Sequence, residues 1–116
     1  MANEGQRLGP ERNTLPLMKR DKLVTASASL GPTDDLVLAD ATAGNVTLSP
    51  PPAANMRGRS ITVIKTNATN SVIFDPDGAE TVNGAATNTM TAQYDKRTYS
   101  AVLITSPNTY GWLISR

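Results

Sequence analysis

The sequence predicts an all-β protein: a single compact antiparallel β-sandwich or small β-barrel-like domain with an extended N-terminal arm. Three observations carry this. From Lys22 onward, apolar residues recur at every second position through short runs. Clusters of Gly, Pro, Asn and Asp separate these runs, and no interval between them is long enough for a helix. Only 4% of the 116 residues are aromatic, so the core must come from Val, Ile, Leu and Ala. The abundance of Asn, Thr, Ser, Gly and Pro suits strands and turns. This length fits one domain, divided here into an arm at 1–21 and a β-domain at 22–116.

Residues 1–21 are read as extended because Gly5, Gly9, Pro10, Asn13 and Pro16 interrupt any helical period. The β-domain opens with KLVTASASL (22–30), ended by the turn Gly31-Pro32-Thr33-Asp34. DLVLAD (35–40) puts Leu36 and Leu38 on one face, and NVTLS (45–49) turns Val46 and Leu48 inward. SITVIKT (60–66) and SVIFD (71–75) are the strongest strand patterns, joined by an Asn-rich link. Asp75-Pro76-Asp77-Gly78 is a turn in which proline presets φ and glycine supplies a positive one. ETV (80–82) with Asn83-Gly84 predicts a further strand and tight turn. TMTAQY (89–94), TYSAVLIT (98–105) and YGWLIS (110–115) complete the domain.

Several strands are apolar on both sides: Ile61 and Val63 against Ile64, Val72 and Phe74 against Ile73, Val102 and Ile104 against Leu103. A strand with one wet face alternates cleanly, so a second covering surface is expected. Either loops of the same chain or another subunit could supply it. The subunit reading nominates Ile64, Ile73 and Leu103 as contacts. The three prolines of LSPPPAAN are expected to close an edge strand against further pairing. Ala53 and Ala54 would then allow another surface close approach, and Gly58 the bend that starts the next strand.

The chemistry is mostly one of exclusion. Without histidine or cysteine there is no Ser-His-Asp or Cys-His constellation, no disulfide and no His- or Cys-based zinc site. Asp34, Asp35, Asp75 and Asp77 lie in turns, where Asp side chains bond nearby backbone N–H groups. DPDG matches only a fragment of a calcium loop. No enzymatic activity, cofactor or metal is expected. Tyr94, Tyr99, Tyr110 and Trp112 beside Lys96 and Arg97 offer a stacking platform for a base or sugar. The competing reading packs Tyr110 and Trp112 in a terminal strand and leaves Lys96-Arg97 as a solvated hairpin tip. The net charge of +1 demands neither nucleic acid nor an anionic membrane. Residues 1–22 nevertheless hold five basic residues against three acidic ones. MANEGQRLGPERN has no apolar signal-peptide stretch, and no run approaches membrane-spanning length, so neither secretion by that route nor helical insertion is expected. Two Asn-X-Thr matches, at Asn45 and Asn67, are read as turn and strand residues.

The order of features from about Thr33 to Ser115 resembles a small β-domain of tailed-bacteriophage structural proteins, found in head decoration proteins and in tail-fibre or spike parts. The pieces that carry the resemblance are DDLVLADATAGNVTLSPPPAAN, GRSITVIKTNATNSVIFDPDGAETVNGAATNTMTAQY and the closing YGWLIS with Trp112. Three successive prolines, Met56-Arg57 before Gly58, and Pro107-Asn108 depart from that pattern in loops. The resemblance implies a capsid decoration (cement) protein that binds the outer surface of the head shell, a virion component made in the host cytoplasm. It implies a homotrimer whose partner is the major capsid protein, with neither nucleic acid nor membrane involved. Its arm would place Arg7, Arg12, Lys19 and Arg20 against acidic shell surface and anchor through Leu15, Leu17 and Met18. The alternative is a tail-fibre or tail-tip module binding a host-surface glycan or protein.

Overall fold

A computed structural model describes residues 21–116. The arm residues Arg7, Arg12, Leu15, Leu17, Met18, Lys19 and Arg20 lie outside the described residues. Strands β1 (Asp21–Val24), β3 (Leu36–Ala39), β5 (Ser60–Lys65), β8 (Lys96–Thr105) and β9 (Thr109–Ser115) form one sheet, in the order β9-β8-β5-β3-β1. Strands β2 (Ala28–Ser29), β4 (Val46–Ser49), β6 (Val72–Phe74) and β7 (Asn88–Met90) form the second, in the order β2-β4-β6-β7. Among the described residues the fold is all-β, with a 3-10 turn at Ala53–Asn55, and neither sheet closes into a barrel.

The expected antiparallel arrangement is corrected: both sheets are mixed. β1, β3 and β5 run parallel to one another, and so do β2, β4 and β6. Antiparallel pairing is confined to β5–β8, β8–β9 and β6–β7. The cause is the path of the chain. From β1 to β6 each strand enters the sheet opposite its predecessor, so it pairs with the strand before last, which runs the same way. Parallel neighbours need a long crossover, and here the crossover contains a strand of the other sheet.

Alternation then builds the core. Val37, Ala39, Ile61, Val63, Tyr99, Ala101 and Trp112 from the larger sheet meet Val46, Leu48, Val72, Phe74 and Met90 from the smaller, none more than 1% exposed. Three expectations are revised. KLVTASASL is two strands, broken at residues 25–27 where the chain changes sheets, and TMTAQY keeps pairing only to Met90. ETV is reduced to a bridge at Val82, which lies beside Trp112 on β9. Thr81 accepts the Trp112 N–H, Trp112 accepts the Asn83 N–H, and the Asn83 side chain accepts the Ile114 N–H at 3.0 Å. Residues 81–83 thus occupy the outer edge of β9. Gly111 is needed there, because a Cβ would stand 3.0 Å from the Thr81 carbonyl oxygen and 3.2 Å from Ile104 Cγ1.

The prolines do not close an edge. β4 lies between β2 and β6, and Pro50, Pro51 and Pro52 lead out of it into the 3-10 turn. Both Glu80 carboxylate oxygens accept the Ala53 N–H, at 2.9 and 3.1 Å, which pins that turn to the loop after DPDG. Gly58 has φ +80°, the bend expected of it.

Candidate interaction surface

Two of the four aromatic residues considered for ligand stacking, Tyr99 and Trp112, join Phe74 at the joint between the sheets. Phe74 on β6 stacks on Tyr99 of β8 with centroids 3.9 Å apart and planes parallel within 1°. Trp112 meets Phe74 edge-on at 5.2 Å. Such pairs add directional attraction to the burial of large rings. The Tyr99 hydroxyl donates to Asn88 Oδ1 at 2.8 Å, across to the smaller sheet. Burial pushes that hydroxyl up to about 12. Arg97 shares the same amide oxygen at 2.7 Å, donates to the Thr89 carbonyl and pairs with Asp95 at 2.8 Å. It is therefore not part of a solvated tip, although Lys96 is exposed. Tyr110 is half-buried with the Arg57 guanidinium over its ring. Tyr94 alone stands free, 72% exposed, in the turn before β8, where its N–H donates to the Lys65 carbonyl and its φ is +66°. That backbone region normally takes Gly or Asn.

Asp34 and Asp40 have local partners. Asp34 accepts the Gly31 N–H at 2.7 Å and the Lys22 ammonium at 3.1 Å. Asp40 accepts both the hydroxyl and the N–H of Thr42, which hold its carboxyl below the ordinary carboxylate range. An open cleft of about 410 Å³ runs between Ala54, residues 77–80 and residues 108–110. Its Glu80 is the carboxylate that holds Ala53. Among the described residues, no three of His, Cys, Asp and Glu gather as metal ligands. No helix among them is long and apolar enough to cross a membrane.

One functional-looking residue escaped sequence reading. Lys65 is fully buried at the end of β5, its ammonium held by the Asn67 carbonyl at 2.6 Å and the Thr69 carbonyl at 3.1 Å, with Asn67 Oδ1 at 3.4 Å. Asn67 Oδ1 also accepts the Ala41 N–H, and Asn70 donates to the Ala41 carbonyl. The Asn-rich link thus solvates a buried cation while tying two loops together. Its signal in the sequence is the inward parity of Lys65 after Ile61 and Val63.

The candidate subunit contacts separate. Ala53 is wholly buried inside this chain and Ala54 is exposed at the cleft. Ile64 and Ile73 lie on opposite outer faces, since their neighbours Val63, Val72 and Phe74 all point to the shared core. Leu103 is half-buried opposite Tyr110 near the end of β8.

Outside the core, the larger sheet carries Leu23, Leu38 and Ile64 in one register row, followed by Lys96. The adjacent row reads Asp21, Leu36, Thr62, Thr98, Ser115. Thr62 and Thr98 bond through their hydroxyls at 3.0 Å, and Ser60 and Ser100 at 2.8 Å. Leu113, 46% exposed, lies beyond Ser100 on β9. The smaller sheet presents Thr47, Ile73 and Thr89 in its outer row. Comparison with protein-family models, with curated proteins and with solved structures finds no match for this chain.

Proposed function

We propose that this chain is a capsid decoration (cement) protein of a tailed bacteriophage, a homotrimer that binds the outer surface of the head shell and stabilises it without catalysis. The observation that carries this reading is the use of Phe74, Tyr99 and Trp112 as an internal joint. A module that read glycans through these loops would display such rings together at one end. Rings locked between two sheets serve rigidity. The apolar outer row on the larger sheet supports a body that meets its own copies. The local basic excess of residues 1–22 supports an arm that meets acidic capsid surface. Three arms on one body would combine weak contacts into avidity.

The alternative, a tail-fibre or tail-tip module that binds a host-surface glycan or protein, draws on exposed Tyr94 and on the cleft beside Tyr110. Co-sedimentation with expanded shells lacking this protein separates the two. The cement reading expects saturable, stoichiometric binding that falls sharply when residues 1–21 are removed. A stable oligomer that fails to bind shells with or without the arm would overturn it and lead to a screen of host-surface ligands.

A further inference from the structure

We infer that the outer face of the five-stranded sheet, centred on Leu23, Leu38 and Ile64, is where a second copy of this chain docks, an inference that rests on the self-association proposed above. Being face to face and two-fold, this contact joins chains in pairs and is distinct from the three-fold contact of the trimer. The sidedness of the exposed apolar residues points there. Leu23 is 68% exposed on a strand, and Leu36, Leu38 and Ile64 beside it are only half covered. Leu113 stands apart from them at the far side of the sheet, beyond the Ser60–Ser100 pair. The opposite outer face has Ile73 between two threonines, with Ser29 and Ser49 nearby. Exposed aliphatic rows on a sheet invite association, and folded proteins either cover or charge them.

Two features favour a copy over an unrelated partner. The apolar rows carry a carboxylate, Asp21 on β1, at one corner and an ammonium, Lys96 on β8, at the opposite corner. A uniformly acidic or basic partner would match one of these and oppose the other. An identical face can match both, because in a self-complementary contact each residue meets its counterpart's partner. The polar centre of the face is also prepared for burial. Ser60 bonds Ser100 and Thr62 bonds Thr98, so covering these hydroxyls leaves neither pair without a hydrogen bond. Five strands at about 4.8 Å spacing and about 20 Å length offer roughly 480 Å² per copy in projection, below the ~800 Å² per partner of a standard stable interface. The contact should therefore dissociate on dilution.

Sedimentation velocity on the full chain, from about 100 μM down to about 1 μM, tests this in the range expected of a small interface. Leu23→Glu alters an exposed side chain and should raise the dissociation midpoint by at least roughly tenfold. Ile64→Thr should weaken assembly, whereas Ile73→Thr on the other face should leave it unchanged. Circular dichroism checks that each variant is folded. Asp21→Lys and Lys96→Asp should each weaken assembly alone and restore it when the two proteins are mixed, a result only contact between copies gives. A wild-type chain that stays monomeric throughout would overturn the inference. So would a folded Leu23→Glu chain that assembles normally, or loss of assembly through Ile73→Thr alone. Shell binding is scored separately. Wild-type oligomers that ignore shells would remove the capsid reading and leave this docking face standing.

Discussion

The two outer faces of this sandwich are made by the same period-2 alternation yet finished differently. On the smaller sheet a single isoleucine sits between Thr47 and Thr89, a surface ready for water. On the larger sheet three aliphatic residues share a row and a fourth lies beside them. The inner faces show no such contrast, since both contribute side chains that are almost wholly buried. Apolar content on both sides of a strand therefore does not by itself identify a contact. The register across neighbouring strands does, because it decides whether single apolar residues add up to a patch.

This comparison presumes that the faces belong to one cooperative unit, and the joint between the sheets is the place to break it. Trp112→Ala should cost the most, about 3–5 kcal/mol by the usual penalty for emptying an aromatic core site. Thermal unfolding followed by near- and far-UV dichroism should then show both sheets melting together at a lower temperature. Separate transitions would mean two independent units. Alkaline titration probes the same joint without mutation. Tyr99 keeps its proton more tightly when folded, so its contribution is full below its ordinary value of 10.0 and is lost as pH rises toward about 12. That displacement corresponds to about 3 kcal/mol. Denaturation midpoints should fall across this window, and a Tyr99→Phe chain should lose this part of the fall. Lys65→Met should be milder, about 2 kcal/mol, because it leaves the Asn67 and Thr69 carbonyls without their buried donor. Urea denaturation measures it. A Lys65→Met chain more stable than wild type would show that the ammonium serves specificity and not stability.

Strand positions were legible because local physics writes them. Val46 and Leu48, Ile61 and Val63, Val72 and Phe74 alternate with more polar partners, and each set is buried as expected. Pairing was not legible. A turn that reverses the chain within a sheet and a turn that carries it to the other sheet use the same kinds of residue, Gly, Pro, Asn and Asp, as 106–108 and 31–34 do. The result was an antiparallel expectation for strands that are largely parallel, and an edge assigned to β4, which is central. Leu36 and Leu38 show the same limit. Their shared face could be read, but not that Val37 and Ala39 would be the buried side. Of the candidate contacts, Ile64 falls on an apolar row, while Ile73 and Ala53 do not, and the role of Lys65 emerged only with the loop folded over it.

The passage of the chain from one sheet to the other has a mechanical consequence. Every link from β1 through β6, and again from β7 to β8, crosses between the layers. The layers are laced together like the two sides of a boot, so a load pulling on one is carried covalently into the other. Peeling them apart would require unthreading the chain coil by coil, not simply parting an apolar seam. A body that resists being prised open in this way keeps its shape under tension across its thickness, whatever its faces hold.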